Sequence, residues 1–64
     1  MENFTVEQAR KYRGFSQKEM ALKLGISENA YILKEKGTSR FYVDEAIRFC
    51  EIVRIEFEKI IFFN

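Results

Sequence analysis

The chain has no histidine, no tryptophan and no proline, a single cysteine and only three glycines among its 64 residues. Each scarcity excludes something. Without histidine, and with Cys50 alone, no structural zinc site can be assembled and no disulfide can form within the chain. The commonest general base is missing and there is no glycine-rich phosphate loop, so the pairings that catalysis needs are almost absent. Carboxylates are plentiful, but their spacing reads as helix caps and helix-surface charge. No catalytic residue, no metal and no other cofactor is expected, and no small-molecule effector is evident. No proline, low-complexity tract or repeat divides the chain, which predicts one domain over residues 1–64. The longest apolar runs fall far short of the roughly 18 residues of a membrane span, and the first residues lack a basic leader. With its lone thiol, the chain is expected to be cytoplasmic.

What is present is a dense apolar fraction, 47% of residues, with seven Phe and three Tyr. A domain this small buries only about 60% of the surface its unfolded chain exposes, and large aromatics supply burial efficiently. Net charge is +1, unevenly spread. Residues 1–42 carry eight Lys/Arg against five Asp/Glu, and residues 43–64 carry three against five. A basic front and an acidic back permit contact with phosphates without diagnosing it.

Helix punctuation recurs along the chain. Thr5-Val-Glu-Gln8 has the form of a capping box, and Gly14 is placed to stop a helix of about 5–13 whose face carries Val6, Ala9, Tyr12 and Arg13. Ser16-Gln-Lys-Glu19 is a second box, followed by Met20, Ala21 and Leu24 at helical spacing and closed by Gly25, which predicts a helix over about 16–24. Ser27 restarts the helix with Glu28 at its positive end, and Gly37 stops it, giving about 27–36. Val43, Ala46, Ile47, Cys50 and Val53 mark a fourth helix over about 43–53. A short fifth helix of about 57–61 is expected, although an apolar run this brief is also compatible with a strand. The predicted fold class is all-α, a compact bundle of five short helices.

The second and third helices are joined by only Gly25-Ile26, a connection that makes helices cross steeply. That geometry would let the second helix sit across a DNA groove while the third enters it. Here the ordered set Ser16-Gln17-Lys18-Glu19-Met20-Ala21, Leu24-Gly25-Ile26-Ser27, Tyr31 and Glu35-Lys36-Gly37 resembles the lambda-repressor-like, Cro-type helix-turn-helix family, also called the XRE family. The resemblance spans roughly residues 4–61, and the ending Lys59-Ile-Ile-Phe-Phe63 is similar to that of small phage-derived members. It implies sequence-specific double-stranded DNA binding. It also implies that Gln17 contacts a phosphate and that Arg10 and Glu35 form a partly buried ion pair that orients the third helix.

With Tyr31 at the centre of the buried face, a rotation of about 100° per residue places Asn29, Leu33 and Lys36 on the opposite side and Ile32 at the edge. Asn29 can bond adenine in two places, Ile32 or Leu33 can meet thymine methyls, and Glu28 can accept from cytosine. Lys36, and Ser39 and Arg40 in the following loop, are candidates for phosphate. Two positions depart from the family pattern. Lys34 stands where an aromatic or aliphatic residue is common, so its stem should cover the core while its ammonium escapes. Arg54 stands where many relatives have a helix-ending glycine.

The expected function is a transcriptional regulator, Cro-like or a minimal repressor. One recognition helix reads too few bases for a tight site, so a homodimer, at least on DNA, is expected on a palindromic operator. Phe57, Ile61, Phe62 and Phe63 are the candidates for the dimer contact. The alternative is a protein-interaction module, such as an antitoxin or a phage regulatory factor, in which Ile32 and Leu33 face a protein partner.

Overall fold

Three of the helix starts follow directly from local side-chain chemistry, and they set the frame of the computed structural model, which describes residues 3–62. Thr5 caps α1 (Val6–Tyr12) by accepting from the Gln8 amide, and the Gln8 side chain returns a bond from the Thr5 amide. Ser16 and Glu19 repeat the reciprocal pair at the start of α2 (Gln17–Leu24). Ser27 accepts from the Ala30 amide to open α3 (Glu28–Lys36). Each cap satisfies amides that would otherwise have no partner in the first turn. Gly25 (φ 75°) and Gly37 (φ 88°) end α2 and α3 in the left-handed conformation, which glycine adopts without steric penalty.

The last long helix, α4 (Val43–Val53), begins differently: the Tyr42 amide donates to Glu45 Oε1, and the Tyr42 side chain does not cap. It ends at Arg54, which takes the left-handed conformation in place of a glycine.

The expected fifth helix over 57–61 is not formed. A single 3-10 turn, Phe57–Lys59, leads into β2 (Ile60–Ile61), which pairs in parallel with β1 (Phe4–Thr5), Phe4 opposite Ile60 and Thr5 opposite Ile61. Among the described residues the molecule is therefore mostly helical, with four helices and a two-stranded sheet, and not a pure five-helix bundle. The physical reason lies in Ile60: it is buried in the core, and an extended backbone also satisfies its polar groups on the segment preceding α1.

Tyr31, Phe49, Met20 and Val53 are the largest fully buried side chains. Phe41 gathers the aromatic half of the core, with ring centroids 6.5 Å from Tyr31, 6.0 Å from Phe49 and 5.2 Å from Phe62. Two expected faces need correction. In α1 the buried positions are Val6, Ala9 and Arg10, while Tyr12 and Arg13 are exposed. In α4 they are Ala46, Phe49 and Val53, while Val43 and Ile47 face outward. Apolar residues surround most of α4, so spacing alone does not choose between its two stripes. Among the described residues no helix is long and apolar enough to cross a membrane.

Candidate nucleic-acid interface

The arrangement of α3 rests on one carboxylate. Glu35 Oε2 accepts from Arg10 Nε at 2.7 Å and from the Tyr31 hydroxyl at 2.8 Å. Its Oε1 accepts from Gln17 Nε2 at 2.8 Å and from Arg10 Nη2 at 3.2 Å. The Arg10 and Glu35 side chains are only 8% and 5% exposed, and Arg10 Nη1 donates to the Phe15 carbonyl. One residue from α1, one from α2 and two from α3 thus share a charge-assisted cluster, the kind of contact that is shorter and stronger than a neutral hydrogen bond. The ion pair implied by the family resemblance is present in the structure. The Gln17 and Tyr31 bonds were not foreseen, although Tyr31 and Glu35 lie at the i, i+4 spacing of neighbours on one helix face.

Burial alone would raise the Glu35 pKa, but the donors Arg10, Gln17 and Tyr31 outweigh it and hold the carboxyl below its ordinary value. Burial, followed by the Glu35 hydrogen bond, pushes the Tyr31 hydroxyl well above the usual tyrosine range. A depressed carboxylate stabilises the fold fully above its unfolded pKa, and that contribution is lost as pH falls through the folded one. Stability to urea should therefore fall as the medium is acidified below the ordinary glutamate range, and Glu35→Gln should flatten that part of the profile. An unchanged acid limb in the variant would remove Glu35 as its source.

Lys34 behaves differently from expectation. Its ammonium does not escape to solvent. It donates to the Arg40 carbonyl at 2.9 Å, lies 2.9 Å from Glu45 Oε1 and sits 4.5 Å from the centre of the Tyr42 ring. The two side chains of this pair are 9% and 13% exposed. The loop after α3 folds over the lysine and offers a carbonyl, so the charge finds partners without leaving the protein. Lys34 thereby ties α3, the loop and the start of α4 together.

The outward side of α3 exposes Glu28, Asn29, Leu33 and Lys36, with Leu33 42% exposed and Ile32 half-buried at the edge. Arg40 is exposed and Ser39 half-buried, and the amides of Thr38 and Ser39 both bond the Leu33 carbonyl. This holds the loop against the end of α3. Gln17 is half-buried with one amide hydrogen committed to Glu35; its second amide hydrogen and its oxygen remain for another partner. Glu28, Asn29, Leu33 and Lys36 thus share one surface, with Ser39 and Arg40 in the loop that continues from it.

In the tail, Phe62 is half-buried and packs against the core aromatics. Phe57 and Ile61 are 52% and 44% exposed. Phe63 lies outside the described residues. Cys50 is half-buried, and burial, with Glu51 and Glu58 nearby, raises its thiol above the ordinary range. Among the described residues no group of three or more acidic, cysteine or histidine side chains is placed to hold a metal ion. The chain matches no protein-family model, no curated protein and no solved structure.

Proposed function

We propose that the chain is a sequence-specific double-stranded DNA-binding regulator of transcription, with α2 and α3 as a helix-turn-helix and α3 as the reader of the major groove. The observation that carries this reading is the division of α3 into two sides. One side is locked inward through Tyr31, Lys34 and Glu35, and the other leaves Asn29, Leu33, Glu28 and Lys36 open. A rigidly held helix with a small, mixed outer face suits contact with base edges. Gln17, Lys36, Ser39 and Arg40 supply the phosphate contacts that set register. Exposed Phe57 and Ile61 supply a homodimer contact, and a palindromic operator follows from the two-fold symmetry. The function is binding and not catalysis, in the cytoplasm.

Selection of bound duplexes from a random library tests this, with the wild type compared against Asn29→Ala plus Leu33→Ala. A palindromic motif that the double variant loses is the expected result. The lost bidentate contact of Asn29 should cost about 1–3 kcal/mol of discrimination. Failure to enrich any motif at low salt, from folded protein, would transfer the assignment to a protein-interaction module. That second reading draws on the exposed Leu33 beside half-buried Ile32 and on the net charge of only +1. Salt separates the two, because phosphate contacts release counterions and weaken steeply as salt is added.

A further inference from the structure

Arg54 is the one non-glycine residue with positive φ among the described residues, at φ 58° and ψ 43°. A side chain is a steric burden in this conformation, and glycine would adopt it freely. Residues held in such conformations cluster where ligands are gripped, so what surrounds Arg54 bears on why an arginine stands there.

It lines a cleft of about 310 Å³ between the end of α1, β1 and the junction that follows α4. Tyr12 ends α1 and Arg13 follows it, Phe4 comes from β1, and Ile55 and Lys59 come from the junction. The Arg13 guanidinium is held on two sides: Nε donates to the Val53 carbonyl, and its central carbon lies 4.8 Å from the centre of the Tyr12 ring. Its two terminal amino groups, and all of the Arg54 guanidinium, have no hydrogen-bond partner among the described residues. Neither arginine lies within ion-pair distance of a described carboxylate. Among the described residues one carboxylate lines the wall, Glu56, 3.7 Å from Lys59. Three cations and one acid are therefore the charged groups that the described residues bring to the cleft.

A guanidinium whose orientation is already fixed presents a fork matched to phosphate or carboxylate, and loses little freedom on binding. Beside Arg13 the lining is apolar: the Phe4 and Tyr12 rings lie 5.7 Å apart, tilted by 39°, a surface for a flat ring. We propose that this cleft binds a small planar anion, an aromatic ring bearing a phosphate or carboxylate, with the anion on Arg13 and Arg54 and the ring against Phe4 and Tyr12. None of the residues assigned to DNA lines the cleft, so the proposal stands apart from that reading.

The test is an NMR titration of the full chain with phenyl phosphate at constant ionic strength, alongside inorganic phosphate and phenol as separate probes. Phenyl phosphate should give saturable shifts at the amides of Phe4, Tyr12, Arg13 and residues 54–59, and should bind more tightly than either fragment. Arg54→Gly should leave Tm unchanged or higher while weakening phenyl phosphate at least about tenfold, the loss of one charge-assisted bond. Arg54→Asn, which also tolerates this backbone, should do the same to binding. The proposal is overturned by an unchanged affinity in both variants, or by no saturable shift up to about 10 mM, beyond the millimolar range of weak binding. It is also overturned by shifts spread evenly over Lys36, Arg40 and the other surface cations. Displacement of phenyl phosphate from the cleft by a DNA duplex would reassign the site to the nucleic-acid backbone.

Discussion

Glu35→Ala is expected to cost about 3–5 kcal/mol of folding stability, the range for breaking a buried ion pair by removing one partner. The variant leaves the Arg10 guanidinium inside the protein with only the Phe15 carbonyl, and it strands the Tyr31 hydroxyl and the Gln17 amide. A domain of this length has only about 3–10 kcal/mol in total, at roughly 0.05–0.15 kcal/mol per residue. Much of the variant should therefore be unfolded at room temperature. Arg10→Met combined with Glu35→Leu should recover most of the loss, because an apolar pair of similar volume carries no uncompensated charge. Urea denaturation of the two single variants and the double variant would read the coupling directly. A Glu35→Ala protein within about 1 kcal/mol of wild type, with additive behaviour in the cycle, would mean that the cluster does not hold the fold.

The second large effect is expected at Lys34. Lys34→Ala should destabilise by about 2–4 kcal/mol, somewhat below the full cost of breaking a buried pair, because Glu45 keeps its bond from the Tyr42 amide. The Arg40 carbonyl and the Tyr42 ring also lose their cation. Lys34→Met retains the apolar stem and should recover the packing share only. Amide exchange would locate the damage, since residues 38–42 should lose protection before the interior of α3 does. Loss confined to within about 0.5 kcal/mol, the range of an ordinary surface change, would show that the lysine is dispensable.

These two residues illustrate what could be read from the sequence. Caps and stops act over three or four residues, so Thr5 with Gln8, Ser16 with Glu19, Ser27, Gly25 and Gly37 each announced a helix boundary. The outward face of α3 was equally legible, because fixing Tyr31 inward determines by rotation alone that Asn29, Leu33 and Lys36 face outward. Arg10 and Glu35, 25 positions apart, could be joined only through the family resemblance. Lys34 departs from the family pattern, but the place its ammonium takes depends on how the loop after α3 folds, and nothing local encodes that. The tail is hard to read for the same reason: whether Ile60 and Ile61 coil or extend is decided by their pairing with Phe4 and Thr5, remote in sequence. Gln17 shows a subtler limit. Its position predicted an outward contact, and the structure adds an inward bond to Glu35 that the helix start alone could not reveal.

The pairing of Phe4–Thr5 with Ile60–Ile61 joins residues 56 positions apart, and so it closes almost the whole chain into a ring. Confining so long a segment costs about 3.5 kcal/mol of chain entropy on a logarithmic scaling, against two short strands and the burial of Ile60 in return. The clasp is therefore expected to form after the helices have packed and to open first, which faster amide exchange at residues 4–5 and 60–61 than inside α2 to α4 would show. When it opens, Phe57 and Ile61 move with it, so any surface they present exists only in molecules whose two ends have already met. Assembly through that surface would then act as a check on completed folding: a chain that has not joined its beginning to its end has nothing to offer a second copy.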